Sequence, residues 1–243
     1  MESTQERLYG ALERAFTDTF ISELIPGIIH NFANPLNGIL GRGQIMKRRL
    51  DQLANGKKGT DAWEETIGRL RQDVVSINGE TERLCDMFRD VADKFQGIVN
   101  NEADLIALGR LVAAELRLAD HYLEFKHRIK KEVHIEEELP PVRGRYCFYS
   151  LALWGILRAT AQAIREAGDK TLQVWTSREG DNVVLRLRHA TGARNPYPDE
   201  DAEGAVLSGD TGRMALCLLR TLGAETDIAD GDGYREWIIR IRP

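Results

Sequence analysis

A long heptad repeat of apolar residues constrains this chain more than any other feature of its sequence. Its members follow one another in steps of four and three, the 3.5-residue period of a helix that packs along a seam. They are Trp63, Ile67, Leu70, Val74, Ile77, Thr81, Leu84, Phe88, Val91 and Phe95. Other helices have to cover this seam, because its apolar side chains would otherwise face water.

A second helical stretch precedes the seam. Apolar residues spaced three or four apart run from about residue 6 to residue 53, and the polar, glycine-containing break at residues 55–59 then ends the helix. The two stretches predict an antiparallel helical hairpin. One hairpin encloses such a seam poorly, so we expect a homodimer that forms a four-helix bundle. The alternative is a monomer whose later helices cover the seam.

The pattern changes after residues 100–102, which predicts a boundary between a hairpin domain, residues 1–100, and a second domain, residues 101–243. Helices are predicted at residues 105–122, 146–167 and 211–222, and strands at 125–135, 172–177, 183–188, 225–229 and 234–242. Residues 194–209 are predicted to form a loop. Helices on one face of a mixed sheet make an α/β sandwich, so the fold class is α+β.

Charge and composition restrict the partners. The net charge of −5 argues against nucleic-acid binding, because Lys and Arg are not in excess to neutralise phosphates. No apolar run approaches the roughly 18–20 residues that span a bilayer, so no membrane insertion is expected. The N-terminus is polar, and the three cysteines are far apart along the chain. We therefore expect a cytoplasmic protein with buried free thiols.

The first helical stretch contains a histidine placed to react. On a helix His30 lies roughly 200° around the axis from the apolar Ile28, so it should point outward. Asn34 lies one turn further along the same face. Pro35 removes a backbone hydrogen bond and should bend the helix just after His30.

Residues 30–36, His-Asn-Phe-Ala-Asn-Pro-Leu, resemble the H-box of bacterial two-component histidine kinases, His-Glu-x-x-Asn-Pro-Leu. The hairpin resembles the dimerisation and histidine-phosphotransfer domain of that family. The resemblance implies that His30 accepts the phosphoryl group and that Asn34 positions groups around it. Asn31 replaces the acidic residue that accepts the imidazole proton in the kinases, and an amide cannot act as that base.

The second half resembles the ATP-binding domain of the same family, the Bergerat fold, but its nucleotide contacts are degenerate. The affected positions are Ala159, His189, Thr191, Ala193 and Gly212. Ala159 replaces the asparagine that binds Mg²⁺ and offers no oxygen. His189 replaces the aspartate that binds adenine, and Gly212 is the one glycine left in the last glycine-rich box. The loop between these boxes is acidic, which is unfavourable beside a triphosphate.

The resemblance therefore implies a histidine phosphotransferase in a two-component phosphorelay. It would carry a phosphoryl group on His30 to or from the aspartates of response-regulator receiver domains. No cofactor is expected, since the partner receiver domain would bring its own Mg²⁺. Two alternatives stay open: a non-catalytic module that binds a receiver or a kinase, and a divergent but active histidine kinase.

Overall fold

The computed structural model describes residues 3–99, 103–191, 201–231 and 233–243. The helices are α1 (Thr4–Thr19), α2 (Ile25–Asn55), α3 (Asp61–Val99), α4 (Leu108–Ala119), α5 (Leu123–Arg128), α6 (Tyr146–Glu166), α7 (Ala202–Ser208) and α8 (Thr211–Thr221), and a π-helical turn, Phe20–Leu24, follows α1. The strands are β1 (Ala103–Ile106), β2 (Lys130–Ile135), β3 (Val142–Arg145), β4 (Thr171–Glu179), β5 (Asn182–Ala190), β6 (Glu225–Asp230) and β7 (Tyr234–Ile241). The predicted α+β class is confirmed.

The chain divides into two compact units. One is Ile25–Ala92, which holds α2 and most of α3, and the other combines Met1–Leu24 with Asp93–Pro243. We call them the hairpin unit and the sheet unit. The predicted domains, 1–100 and 101–243, differ from this division in that residues 1–24, which include α1, and residues 93–100, which include the end of α3, belong to the sheet unit.

Residue chemistry explains the hairpin unit. Gly59 adopts a φ of +79°, which favours glycine, and the Thr60 hydroxyl accepts the backbone N–H of Trp63 at 3.3 Å to begin α3. The buried carboxylate of Asp73 on α3 binds the guanidinium of Arg49 on α2. The two helices are thus joined by an ion pair as well as by the ring contact of Phe32 with Phe88, whose centroids are 4.3 Å apart.

The heptad seam of α3 separates into two rows in this unit. Leu70, Ile77 and Leu84 are buried or half-buried, whereas Val74, Thr81 and Phe88 are exposed. Phe88 is 56% exposed and Val74 is 44% exposed. On α2, exposed apolar side chains follow a similar spacing: Ile29, Leu36, Leu40 and Leu50. One chain therefore leaves the row of Val74, Thr81 and Phe88 facing solvent.

The sheet unit is built on a five-stranded mixed sheet of order β2-β4-β5-β7-β6. β2 is parallel to β4, and the other neighbours are antiparallel. β1 and β3 form a separate antiparallel pair. Helices α4, α6 and α8 share one apolar core with alternate residues of the sheet, such as Leu172 and Val174 on β4. Every second residue of a strand points to the same face of the sheet, and this two-residue period in the sequence is the pattern that predicted the strands.

Helix α1 joins this core, which explains the difference in domain boundary. Its residues Leu8, Leu12 and Phe16 are buried. The Phe16 ring meets Trp154 of α6 edge to face, with centroids 5.2 Å apart. The apolar face of α1 is therefore covered by the sheet unit, whose helices are remote in sequence.

Three other sequence predictions need correction. Residues 125–128 form the end of α5 rather than a strand, because Phe125 turns into the core. Ala202–Ser208 forms α7 inside the predicted loop, since Asp201 caps the helix and Ala205 is buried. Of the three thiols expected to be buried, Cys85 is exposed. Within the described ranges, no helix has the length and apolar character needed to cross a membrane.

Candidate functional site

The side chain of His30 lies exposed on α2, as predicted. Asn34 is also exposed, and four residues of helix place it roughly 40° from His30 around the axis. Asn31 is only 3% exposed. The structure brings His30 and Asn34 together on one surface and leaves Asn31 off it.

The His30 surface is separate from the other faces of α2. The buried face, with Asn31 and Pro35, and the exposed apolar face, with Ile29 and Leu36, lie roughly 100–140° away from it around the helix axis. No hydrogen bond or ion pair of His30 occurs within the described part of the chain. The imidazole is thus open to a reacting partner from solvent. Helix α2 continues through Pro35 to Asn55, so the bend remains a prediction.

Gly41 and Gly43 leave the surface of α2 unobstructed beyond this point. A Cβ atom built on either glycine would meet no atom within 4 Å. Glycine costs about 1 kcal/mol relative to alanine inside a helix, so two unobstructed glycines are unfavourable for the helix itself. They leave room for the backbone of another molecule to approach.

His189, which the resemblance aligns with the adenine-binding aspartate of the kinases, is enclosed by the protein. It is 2% exposed at the end of β5. Its Nδ1 lies 2.9 Å from the carbonyl oxygen of Ala190, and its Nε2 accepts the indole N–H of Trp237 at 3.2 Å. Burial lowers the pKa of the imidazole, which favours the neutral ring with the proton on Nδ1. Both ring nitrogens are therefore engaged within the chain.

Ala159 lies on α6, whose surface near this position is covered by other helices. A Cβ atom on Gly155, one turn earlier, would come within 2.7 Å of the carbonyl oxygen of Thr211 and 3.1 Å of Leu12 Cδ2. Helices α8 and α1 therefore approach α6 at the distance that only a glycine permits.

The N-terminus of α8 carries Gly212, the remaining glycine of the last glycine-rich box. The carboxylate of Asp210 accepts the backbone N–H of Gly212 at 2.9 Å and of Arg213 at 3.1 Å. These first-turn N–H groups are the donors that a helix would otherwise offer to a phosphate. Here a negative side chain of the protein already binds them. Ala193 and most of the acidic loop lie outside the described residues.

Sequence reasoning missed a buried polar cluster in the sheet unit. The Lys94 ammonium donates to both carboxylate oxygens of Glu115, at 2.7 and 2.8 Å, and to the hydroxyl of Ser150 at 2.7 Å. All three residues are buried. A lysine directly before Phe95, the last apolar residue of the seam, was the signal available in the sequence.

It also missed an open cavity of about 620 Å³ beside this cluster, lined mainly by α4, α5 and α6. Trp154, which reads as a core residue in the sequence, lines it and donates its indole N–H to the hydroxyl of Tyr122 at 2.9 Å. Aromatic residues at helical spacing gave no sign that a cavity separates these helices.

Comparisons with known proteins identify no matching protein family and no matching curated protein. Among solved structures, the chain is similar to the histidine kinase AdeS of Acinetobacter baumannii, with 12% identity and a TM-score of 0.45 over 83% of this chain and 94% of that one. The catalytic domain of the histidine kinase ThkA, in a nucleotide-free form, gives 14% identity and a TM-score of 0.46 over 58% of this chain and 95% of that one.

A bacterial phosphotransferase gives 15% identity and a TM-score of 0.37, over 89% of this chain and 93% of that one.

Proposed function

We propose that the protein is a histidine phosphotransferase of a two-component phosphorelay, with His30 as the phosphoryl carrier. The observation that carries the proposal is the exposure of the His30 imidazole beside Asn34, on a helix face that is neither buried nor part of the apolar row. A nucleophile that exchanges phosphoryl groups with other proteins has to be reachable by an aspartyl phosphate from solvent.

The chemistry needs few groups from this chain. One ring nitrogen of neutral His30 attacks the phosphorus of a receiver aspartyl phosphate, an N–P bond forms, and the acyl O–P bond breaks to release the aspartate carboxylate. The imidazole then loses the proton of its other nitrogen to water. A second receiver aspartate reverses these steps. Asn34 positions the phosphoryl oxygens or a water, and the receiver supplies the Mg²⁺.

The nucleotide-site positions support transfer between proteins rather than autophosphorylation from ATP. The Asp210 carboxylate binds the first-turn donors of α8, and His189 is enclosed between Ala190 and Trp237. A triphosphate at α8 would have to displace a carboxylate that repels it. We therefore propose that the sheet unit has no cofactor of its own.

Homodimerisation through the hairpin belongs to the same proposal. The exposed row of Val74 and Phe88 on α3 and the exposed row of Ile29 and Leu36 on α2 require a cover, and a second copy presents the same two rows. Four helices then surround one apolar interior. The proposal places this dimer in the cytoplasm, where receiver domains act, and cell fractionation tests that location.

A transfer assay tests the carrier role. Receiver domains labelled with acetyl phosphate are mixed with the wild-type protein, His30→Ala or His127→Ala, an exposed histidine of the sheet unit. We expect acid-labile, base-stable phosphate on the wild type and on His127→Ala but none on His30→Ala. Equal labelling of His30→Ala would rule out His30 as the carrier.

The same assay decides between the proposal and a non-catalytic binding module. Receiver binding without phosphate transfer to the protein from any tested receiver would establish the module. Labelling of His30 by ATP, with the protein alone, would establish a divergent kinase instead.

A further inference from the structure

The open cavity lined mainly by α4, α5 and α6 belongs to the sheet unit and has no part in the chemistry proposed for His30. Its volume, about 620 Å³, lies within the range of sites that hold small organic molecules. Buried apolar side chains form its floor: Leu118, Phe125, Ile129, Trp154, Leu157 and Ile164. Because apolar surface is unfavourable in water, a floor of this kind favours a ligand with an apolar body.

One hydrogen-bond donor of the lining is not used by the protein. Trp154 on α6 donates its indole N–H to the hydroxyl oxygen of Tyr122, directly before α5, at 2.9 Å. The O–H of Tyr122 remains to be donated, and no acceptor for its proton occurs among the described residues. Burial raises the pKa of Tyr122 to about 12, so the hydroxyl stays protonated at neutral pH. Tyr122 therefore offers a hydrogen bond to a molecule in the cavity.

Two neighbours hold this donor in position. Besides the bond from Trp154, the guanidinium of Arg158 lies over the Tyr122 ring, 6.0 Å from its centroid. Arg158 is itself fixed by Glu23, with an Nη2–Oε1 distance of 2.6 Å. A group that is ordered before the ligand arrives loses little freedom on binding, so more of its hydrogen-bond energy contributes to affinity. An apolar floor with one positioned polar group is the usual composition of a small-molecule site.

The kind of donor selects the kind of acceptor. One uncharged O–H satisfies a carbonyl oxygen. A carboxylate in the same place would need more hydrogen bonds, and burying its charge against apolar side chains would be costly.

We propose that this cavity binds a small uncharged organic molecule, whose apolar body lies on the floor around Trp154 and Leu157 and whose carbonyl oxygen accepts the Tyr122 O–H. This inference does not depend on phosphotransfer by His30.

Two molecules of nearly equal shape test the hydrogen bond. Benzophenone carries one carbonyl group between two phenyl rings, and diphenylmethane has a methylene group in its place. We expect equilibrium dialysis to show benzophenone at one saturable site per chain of the full-length protein. Tyr122→Phe should weaken benzophenone relative to diphenylmethane by about fivefold, the effect of one hydrogen bond.

The ratio of the two affinities isolates the hydrogen bond, because a change of packing in the variant affects both molecules. An unchanged ratio in Tyr122→Phe would overturn the inference. Benzoylbenzoate, an anion with the same two rings, should bind more weakly than benzophenone, and tighter binding of the anion would contradict an uncharged ligand.

Photochemistry locates the site in the wild-type protein. Benzophenone forms covalent bonds with nearby C–H groups when it is irradiated, and peptide mass spectrometry identifies the labelled residues. We expect saturable labelling in the helices that line the cavity, near Phe125, Trp154 or Leu157. Labelling confined to the hairpin unit would overturn the inference.

A substitution that fills the cavity provides an independent check. Ala161→Phe places a ring in the cavity and should remove binding of both molecules. Ala54→Phe is the matched control, because Ala54 is an exposed residue of α2 that does not line the cavity. Near-UV circular dichroism checks the fold, and Gln162→Trp, at an exposed lining position, serves if Ala161→Phe does not fold.

His30→Ala should bind benzophenone as the wild type does, so failure of the phosphotransfer proposal and failure of this one are distinguishable. Full binding by a folded cavity-filling variant would show that the molecule lies elsewhere and would overturn the inference.

Discussion

Lys94 carries an ammonium group into the core of the sheet unit, where it is 4% exposed. Burial lowers the pKa of Lys94, and the adjacent Glu115 carboxylate opposes that effect. The pair is stable because each charge is paired and Ser150 provides a further polar partner. Removing one member would leave the other as an uncompensated buried charge.

We expect Lys94→Met to destabilise the sheet unit by about 3–5 kcal/mol, because Glu115 would remain charged and buried. Urea unfolding followed by tryptophan fluorescence measures the loss. The double variant Lys94→Met/Glu115→Leu should be more stable than Lys94→Met alone, since it removes both charges.

The matched control for Lys94 is Lys130→Met. Lys130 forms an exposed ion pair with Glu132, and its loss should cost less than about 1 kcal/mol. A Lys94→Met protein as stable as Lys130→Met would contradict the assignment of a buried, energetically important pair.

For individual residues, the sequence predicted which side of helix α2 a residue faces, but it did not predict which residues from other elements surround a side chain. The exposure of His30 and Asn34 follows from counting 100° per residue along a helix. The same count places Asn31 roughly 100° away from His30, on the buried face of α2. The environment of His189 was not predictable, because its partner Trp237 lies on β7, far along the chain.

At the scale of elements, α7 and α8 form a natural pair for comparing helix caps. Each begins after an aspartate whose carboxylate accepts backbone N–H groups: Asp201 for α7 and Asp210 for α8. They differ in what they bury. α7 buries Ala205 alone among its residues, whereas α8 buries seven of its eleven residues.

We expect Asp210→Ala to destabilise the protein by about 0.5–2 kcal/mol, the usual cost of removing a capping side chain. Asp201→Ala should cost less, because fraying of α7 exposes little apolar surface. Thermal unfolding by circular dichroism compares the two variants. A larger loss for Asp201→Ala would show that α7 is more important to the fold than its burial indicates.

The sequence pattern predicted helices α6 and α8 and strands β4 to β7 correctly. In these elements the apolar residues have a clear period, and turn residues mark the ends. Gly180, for example, has a φ of +62° at the turn between β4 and β5. Assignment failed at α5 and α7. These short helices have no repeating pattern of their own, and each contributes a buried residue, Phe125 or Ala205, to the core.

For the whole molecule, the oligomeric state depends on what buries the row of Val74, Thr81 and Phe88, which a single chain leaves exposed. Val74 lies on the exposed row, and Val75, its neighbour, lies about 100° away around α3. A four-helix bundle would bury Val74 and leave Val75 in solvent. The two valines are therefore matched test positions.

If the proposed dimer forms, we expect Val74→Glu to convert it into monomers or to weaken it strongly, because a carboxylate would be buried in the bundle interior without a partner. Val75→Glu should remain dimeric. Sedimentation equilibrium measures both masses. A wild-type protein that is monomeric, or equal effects of the two substitutions, would exclude the bundle.

The sequence by itself determined the hairpin, the α+β class and the outward direction of His30. Each of these depends on the spacing of apolar and polar residues within one short stretch of the chain. Only the tertiary structure decided that α1 packs on α6 and α8, that Lys94 pairs with Glu115, and that a cavity separates α4 from α6. Such contacts join residues distant in sequence. These contacts form because apolar faces are buried and buried charges are paired between elements that are distant in sequence. No local sequence pattern specifies which elements meet.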